Sequence, residues 1–413
     1  MFKSFGKVFV VSLIVVALTA PLAFGTTARV RSLAESGDYL NDDSNVFRWY
    51  ATLPSYSNLV MAEVGTYSGY DAYHQALGIT HACGEDGAYG TFGVFLMDNV
   101  TDDGFFMTSP IGFNDMFLPF NMPSNKFAVQ WGKEFEGMAL GLGFTRSDNG
   151  MSNGFTSKIS FTTFGGGLRA DLGESAYADL AVTVGMAGGE NIIDNGGAPD
   201  TADFDKKNVF DVAARIFYEW KEYATLVPLF DFQMLEFALE NPSYLGHGDK
   251  ANAFRLGLAV NMDVNTNNMI VFGVEFQRVK WEPSVPDTME GSDSEYTATY
   301  LPTIRLALES DVKPWMTARV GAKKSLIKET YKDVGGEEVS YTGSYFDWYL
   351  GVGFHIAEFD IDCELAPEAP FSLGYWMTGH TAYPNYGYYY TTDPSQPGYG
   401  DGPISRISAT YHF

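Results

Sequence analysis

The sequence predicts an all-β protein: a transmembrane antiparallel up-and-down β-barrel of sixteen strands, with fourteen as the alternative count. Three observations carry this prediction. Apolar and polar residues alternate with a period of two, as in strands with one apolar face. Short connections alternate with long ones, which is typical of outer-membrane barrels. The chain also ends in such a strand, with Ile407, Ala409, Tyr411 and Phe413 on the apolar face.

The composition supports a barrel and excludes other classes. Aromatic residues make up 15% of the 413 residues, glycine occurs 44 times, and only 19% of residues are charged. No apolar run of ~20 residues follows the N-terminus, which excludes a helical membrane protein. The net charge of -25 makes nucleic acid a poor partner. A soluble β-sandwich, the competing all-β fold, would not explain the alternation of short and long connections.

Residues 1–25 have the pattern of a secretory signal peptide. Lys3 and Lys7 precede the apolar stretch "VFVVSLIVVALTA", and small residues suited to cleavage follow it. The apolar part is too short for an anchor, and no stop-transfer pattern comes after it. Together with the barrel pattern, the signal predicts export to the outer membrane of a Gram-negative-type bacterium.

Residues 26–57 differ from the rest and form a predicted N-terminal segment, either periplasmic or plugging the lumen. Asp42, Asp43 and Ser44 are suited to cap a short helix beginning around Asn45. The barrel is predicted over residues 58–413. Its sixteen strands are expected near 58–67, 73–84, 88–97, 126–133, 137–147, 155–170, 175–187, 206–220, 222–238, 249–264, 267–281, 295–310, 314–325, 343–357, 359–366 and 404–413.

Alternation assigns side chains to lipid or lumen. In the strand near 295–310 the lipid face is predicted to hold Tyr296, Ala298, Tyr300, Pro302, Ile304, Leu306 and Leu308, with Leu301 as an exception. In the last strand, Arg406 and His412 are expected to face the lumen. Phe413 is expected at the periplasmic interface, where such a residue resembles the signal read by the barrel-assembly machinery.

The lumenal face is predicted to carry charges of both signs. Opposed arginines and carboxylates create a transverse field in a water-filled pore, and charged rings set ion selectivity. The alternative is that these pairs satisfy each other inside a plugged barrel. The predicted pore-lining residues are Arg215, Arg255, Arg305, Arg319, Arg406, Asp211, Asp231, Asp347, Asp360, Asp362, Glu275 and Glu309.

Two long loops are candidate binding surfaces. Loop 98–125 is apolar, which fits a capture groove, a constriction folded into the barrel, or a short helix packed on its wall. Loop 367–403 is rich in tyrosine, which fits a ligand, a protein partner, or part of the aromatic girdle. The residues predicted to form this binding surface are Phe105, Phe106, Phe113, Phe117, Phe120, Tyr386, Tyr388, Tyr389 and Tyr390.

Catalytic, metal and cofactor sites are not predicted. The six histidines are scattered, and the acidic loops lack a glycine-anchored calcium-loop pattern. No Gly-rich phosphate loop follows a strand and opens a helix. We therefore expect no enzyme, no cofactor and no metal. Cys83 and Cys363 are expected about three strand spacings apart, too far for a disulfide.

The N-terminal segment resembles that of FadL/PorV-type outer-membrane proteins. The matching residues are Arg31-Ser32-Leu33-Ala34, Gly37, Tyr39, Asp42-Asp43 and Asn45-Val46-Phe47. The chain departs from the family's Asn-Pro-Ala-Gly-Leu at Trp49 to Leu53. The resemblance implies an N-terminal segment that reaches into the lumen. It implies passage of hydrophobic molecules if the chain is FadL-like, or a role in protein secretion if it is PorV-like.

Two functions follow from the sequence. The first is an outer-membrane channel or transporter for passive uptake of small solutes, with hydrophobic or aromatic compounds as candidates. The second is a non-conducting barrel that anchors or assists a protein partner at the surface. The expected partners are outer-membrane lipid, a small-molecule solute, the barrel-assembly machinery, and either a further copy of the chain or a surface protein.

Overall fold

Sixteen antiparallel strands close into one barrel, in a computed structural model that describes residues 27–66, 73–98, 125–152, 155–193, 200–239, 248–284, 295–332, 337–365 and 404–413. Each strand pairs with its neighbours in chain order, and the last pairs with the first. The predicted fold and its count of sixteen strands are confirmed, and fourteen is excluded. The predicted signal peptide lies outside the described residues.

The strands lengthen toward the middle of the chain. Their bounds are β1 Leu59–Thr66, β2 Tyr73–Ala82, β3 Thr91–Asp98, β4 Asn125–Phe135, β5 Met138–Ser152, β6 Phe155–Asp171, β7 Ala176–Ile193, β8 Asp200–Lys221, β9 Ala224–Leu239, β10 Gly248–Asn265, β11 Asn268–Ser284, β12 Glu295–Lys313, β13 Met316–Lys332, β14 Glu338–Ile356, β15 Phe359–Leu365 and β16 Ile404–His412. Tight turns such as 222–223 and 266–267 mark one end of the barrel, which we take as the periplasmic end.

The terminal strand closes the barrel. Glu63 of β1 lies opposite Ser408 of β16, and the Phe413 amide donates to the Asn58 carbonyl at 3.0 Å. A membrane offers no water to unpaired backbone groups, so this pairing removes the sheet edges that lipid would not tolerate. Phe413 is exposed and stacks on His81, with ring centroids 5.9 Å apart. Its recognition by the assembly machinery stays a prediction.

The outer face of the barrel is apolar. Large hydrophobic side chains point outward with much of their surface exposed, among them Leu77, Ile79, Leu142, Phe164, Leu256, Leu258 and Leu306. A water-exposed surface of this kind would be unfavourable, whereas lipid stabilises it. Among the residues that the structure describes, no helix is long and apolar enough to cross a membrane.

β12 corrects one part of the predicted pattern. Its pairing with both neighbours shifts between Tyr300 and Thr303, where β12 carries one extra residue. Such a bulge reverses which face each later side chain occupies. Tyr296, Ala298 and Tyr300 therefore face the lumen, and their assignment to lipid was wrong. Leu301, the exception in the alternation, points outward with 59% of its surface exposed.

The N-terminal segment lies inside the barrel. It forms the helix α1 (Thr27–Ser32) and three 3-10 helices at Gly37–Tyr39, Asp43–Phe47 and Tyr50–Tyr56. The helix predicted around Asn45 is the second of these, and the Asp42 side chain caps it by accepting from the Ser44 amide at 3.0 Å. We call residues 27–57 the plug.

Candidate functional site: the plug and the lumen above it

A glycine cradle on the barrel wall receives the plug. Gly141, Gly143, Gly165 and Gly167, on β5 and β6, lie directly against Tyr50 and Ala51. A Cβ atom at Gly141 would come within 2.5 Å of the Ala51 nitrogen, and one at Gly167 within 2.8 Å. The tyrosine hydroxyl then reaches Thr183 on β7, 3.0 Å away. Small lumenal residues on these strands therefore make room for the plug.

Arg215 anchors the centre of the plug. Its side chain is fully buried and pairs with Asp179 at 2.9 Å. It donates to the Asp38 carbonyl and to the Asn45 side chain, both at 3.0 Å. Its guanidinium lies 4.3 Å from the centroid of the Trp49 ring, a cation–π contact. One barrel residue thus holds three parts of the plug.

A second group of charges joins the plug to β8, β9 and β10. Arg48 of the plug pairs with Asp231 at 2.5 Å and with Asp211 at 3.2 Å. Asp38 of the plug pairs with Arg255, which also contacts Asp231 at 3.0 Å. Cation and carboxylate alternate across the interface, so every charge in this group meets an opposite one.

A third group lies where the plug meets β11, β12 and β13. Arg305 pairs with Glu275 at 2.9 Å and donates to the Ala34 carbonyl at 2.5 Å. Glu275 also accepts from the Tyr39 hydroxyl at 2.7 Å. Glu35, at the surface of the plug, pairs with Lys323 at 2.5 Å. These contacts hold the plug from the side opposite the glycine cradle.

The start of the plug is attached near the barrel seam. Arg29 bridges Asp42 at 2.6 Å and Glu309 at 2.8 Å, and Arg319 contacts the same glutamate at 2.6 Å. Close by, Arg31 pairs with Glu364 at 3.1 Å. At the seam itself, Arg406 pairs with Glu63 at 2.8 Å and donates to the hydroxyl of Thr27. The inward direction predicted for Arg406 is confirmed.

The plug carboxylates divide into two electrostatic classes. Burial alone would raise the pKa of Asp38, but the charges of Arg255, Arg48 and Arg215 outweigh it and hold that pKa well below its usual range. Glu35 behaves in the same way beside Lys323. Asp43 is the opposite case, because burial and the adjacent Asp42 raise its pKa well above the usual value. Docking of the plug therefore favours two ionised carboxyls and one protonated carboxyl.

The predicted pore-lining residues face inward, and most of them meet the plug. Arg319 and Asp362 lie behind Glu309, as a pair that braces it. Asp347 and Asp360 lie away from the plug: the first is exposed on the inner face of β14, and the second lies at the periplasmic end, where His355 and His412 contact it. Their role in a conducting path stays a prediction. The predicted loop surface falls within 99–124 and 366–403, outside the described residues.

Pattern reading missed the residues of the plug that complete these groups. They are Arg29, Arg31, Glu35, Asp38 and Arg48, together with Arg169 and Asp179 on the wall. The available signal was charge: an N-terminal segment carrying three arginines precedes a barrel whose predicted lumen contains many carboxylates. Which pairs form depends on how the segment folds inside the barrel.

The lumen above the plug has an aromatic wall on β12, β13 and β14. Because of the bulge, Tyr296 and Tyr300 pack against the buried Ile327 and Val279. The Tyr296 hydroxyl donates to Glu329 at 2.7 Å, and its ring meets Tyr331 edge-on. By strand alternation Tyr345 faces the same space, and 54% of its surface is exposed.

Comparison with known proteins finds only distant structural matches. The fold itself is a closed sixteen-stranded antiparallel barrel with an apolar outer face. No family profile and no curated protein sequence matches it. Solved structures that match include the siderophore receptor PiuA from Acinetobacter baumannii, at 9% identity over 66% of this chain and 53% of that one, with a TM-score of 0.40. This chain therefore spans about half the length of that receptor.

Two further matches show the same level of similarity. The copper transporter OprC is 10% identical over 75% of this chain and 60% of its own, with a TM-score of 0.38. OmpT, an outer membrane protein of Vibrio cholerae, is 13% identical over 71% of this chain and 95% of its own, with a TM-score of 0.32. At these values the matches carry no argument about substrate.

Proposed function

We propose that this protein is an outer-membrane channel for passive uptake of small solutes, closed by its plug until the plug moves. The observation that carries the proposal is the chemistry of the interface. The plug is held by many ion pairs and hydrogen bonds, such as Arg48–Asp231 and Arg29–Glu309, beside apolar contacts that include those of Trp49 and Leu33. Separating a buried ion pair returns both ions to water, and their hydration offsets much of the attraction that is lost.

The size of the barrel supports a conducting role once the plug shifts. Barrels of sixteen strands enclose an aqueous channel unless something fills them. Here the plug covers the glycine cradle and many of the inward-facing charges. Movement of residues 27–57 would expose those charges to water, together with apolar wall residues such as Phe217 and Leu229.

Small hydrophobic or aromatic compounds are the solutes we propose, as the resemblance to FadL-like proteins implies. Support comes from the aromatic wall above the plug, where Tyr300 and Tyr345 face the lumen. Aromatic side chains provide large apolar contact area with a polar tip. A solute bound there would be held next to Glu35 and Lys323, at the surface of the plug.

A reversible lock tests the proposal. A Cβ atom at Gly132 would lie 3.2 Å from the Leu53 Cβ, near the ~3.5–4.5 Å that a disulfide requires. We therefore expect Leu53→Cys with Gly132→Cys, in a background lacking Cys83 and Cys363, to lock the plug when oxidised. Solute flux into proteoliposomes should stop on oxidation and return on reduction.

The controls and the refuting results are direct. Each single cysteine variant should conduct equally with and without oxidant. Flux that persists in the oxidised double variant would mean that the plug is no gate. An unmodified protein that passes no solute, and that co-purifies with one surface protein, would favour the anchor or accessory role instead.

A further inference from the structure

Three cations project from the outer face of the barrel, on β11 and β13. They are Arg278, Lys324 and Lys328, and we call them the basic face. Strand alternation directs them outward, since neighbouring positions such as Ile327 are buried on the lumenal side. Arg278 and Lys328 share one cross-strand row with Thr299 between them, so their backbones are two strand spacings, about 10 Å, apart. Lys324 lies about 13 Å from Lys328 along β13.

The basic face lies where the apolar band of the barrel ends. At ~3.3 Å per residue and a strand tilt of ~40°, each residue adds about 2.5 Å of height along the membrane normal. Counted from the periplasmic start of each strand, Lys324 lies about 20 Å high, Arg278 about 25 Å and Lys328 about 30 Å. The apolar band of such barrels is about 25 Å tall. The three side chains therefore occupy the level of the outer-leaflet headgroups, which the long stem of a lysine reaches from slightly below.

On the described strands, no carboxylate adjoins the basic face. The positions directly opposite its three residues hold Phe254, Thr299, Ile304, Phe346 and Thr342. The diagonal positions on β10, β12 and β14 are likewise uncharged. The next outward carboxylates lie nearer the extracellular end, where Glu282 and Glu295 both pair with Lys280. Glu338 lies there too, opposite Lys332. The positive charge of the basic face is thus not neutralised by the neighbouring wall.

Hydroxyl groups and an apolar floor complete this surface. Because of the bulge in β12, Thr299 faces outward where an unbroken alternation would place a tyrosine. Ser344 of β14 accepts from the Lys324 ammonium at 2.9 Å. Between the cations lie Leu301 and Leu326, which are 59% and 44% exposed. Cations and hydroxyls around exposed leucines match a ligand that carries phosphate and sugar groups above acyl chains.

We propose that the basic face binds the phosphorylated headgroup of a glycolipid in the outer leaflet of the membrane. Arginine and lysine form charge-assisted hydrogen bonds with phosphate, and clusters of them bind anionic lipid headgroups. The separations of about 10 Å and 13 Å are too wide for one phosphate, so they suit a headgroup that carries two. The net charge of the whole chain, -25, repels anions in general, so binding depends on these local cations. The site lies on the outer face and does not depend on the proposed function.

Native mass spectrometry of the purified full chain in detergent tests the proposal with three lipids: bisphosphorylated lipid A, monophosphorylated lipid A and phosphatidylethanolamine. The bisphosphorylated lipid should bind most tightly, and the zwitterionic phosphatidylethanolamine at least about tenfold more weakly. Arg278→Gln, Lys324→Gln and Lys328→Gln combined should weaken binding of the bisphosphorylated lipid by about 100-fold, since each cation near a headgroup contributes a factor of about five.

Two further variants separate the site from general charge and from folding. Arg146→Gln is the matched control, because Arg146 also lies on the outer face, at the same height on β5 as Lys324 on β13, but pairs with Asp148 at 2.7 Å. It should leave lipid binding within about twofold. Arg278→Lys with Lys324→Arg and Lys328→Arg keeps the charge and should retain binding within about threefold. Equal affinity for the three lipids, an unaffected triple glutamine variant, or an equal loss in Arg146→Gln would overturn the proposal.

Discussion

Substituting Gly141 by alanine should expel the plug without opening the barrel. The added Cβ would lie 2.5 Å from the Ala51 nitrogen and would overlap the carbonyl of Tyr50. Ordinary contacts of a Cβ atom begin near 3.4 Å, so residues 50–51 would have to move by about 1 Å. The obstacle is backbone, which moves only with the whole segment.

The energetic cost follows from two terms. Displacement breaks the bond between Tyr50 and Thr183, which contributes about 1 kcal/mol. Overpacking adds about 1–3 kcal/mol. Together these cost about 2–4 kcal/mol, which raises the ratio of undocked to docked plug by roughly 30- to 900-fold. The strand itself loses nothing, since alanine is compatible with an extended backbone.

Thiol labelling reports the shift. Thr52 is 1% exposed in the docked plug, so Thr52→Cys in a background lacking Cys83 and Cys363 reacts with a water-soluble maleimide only when the plug is undocked. Gly141→Ala should speed labelling by the factor above. Gly166→Ala is the matched control, because a Cβ there meets nothing within 4 Å. Equal labelling rates in the two variants would show that the glycine cradle does not hold the plug in place.

Three further predictions use the same labelling assay. Arg215→Met should speed labelling by 10-fold or more. The substitution removes a buried ion pair, two hydrogen bonds to the plug and the stacking on Trp49, a loss of about 3 kcal/mol. An unchanged rate would show that Arg215 does not anchor the plug. The labelling rate divided by that of a free thiol at the same pH, which corrects for the loss of thiolate in acid, should rise as pH falls below about 4. The pKa of Asp38 is lowered on docking, so its contribution is present above the usual carboxyl pKa and is lost in acid. Asp43→Asn should slow labelling at pH 7. The pKa of Asp43 is raised in the docked plug, so its ionised form opposes docking, and the asparagine amide keeps an acceptor for the Thr410 hydroxyl. Faster labelling would show that the Asp43 charge stabilises the docked plug.

Several features of the fold could be predicted from sequence because alternation is a local property. A strand with one face in lipid must place apolar residues at every second position, and the length of each connection marks its end of the barrel. These two rules were sufficient for sixteen strands, for the closing strand at Phe413, and for the inward direction of Arg215, Arg305 and Arg406.

The β12 bulge marks the limit of that reasoning. Counting by twos through residues 295–310 assigns Tyr296 and Tyr300 to lipid, because one inserted residue is invisible to a fixed period. Leu301 signalled the break, and Pro302, which lacks an amide donor, is common at such bulges. Whether the break is a bulge or an exposed exception depends on the pairing with β11 and β13.

The sequence by itself determined the barrel and the chemical type of its lumen and favoured sixteen strands over fourteen, since these depend on the period of side chains along single strands. Only the tertiary structure decided that residues 27–57 occupy the lumen, which charges pair there, and that two tyrosines of β12 face inward. Those outcomes depend on contacts between residues hundreds of positions apart, such as Arg31 with Glu364. Ion pairs of that range leave no periodic trace in the chain.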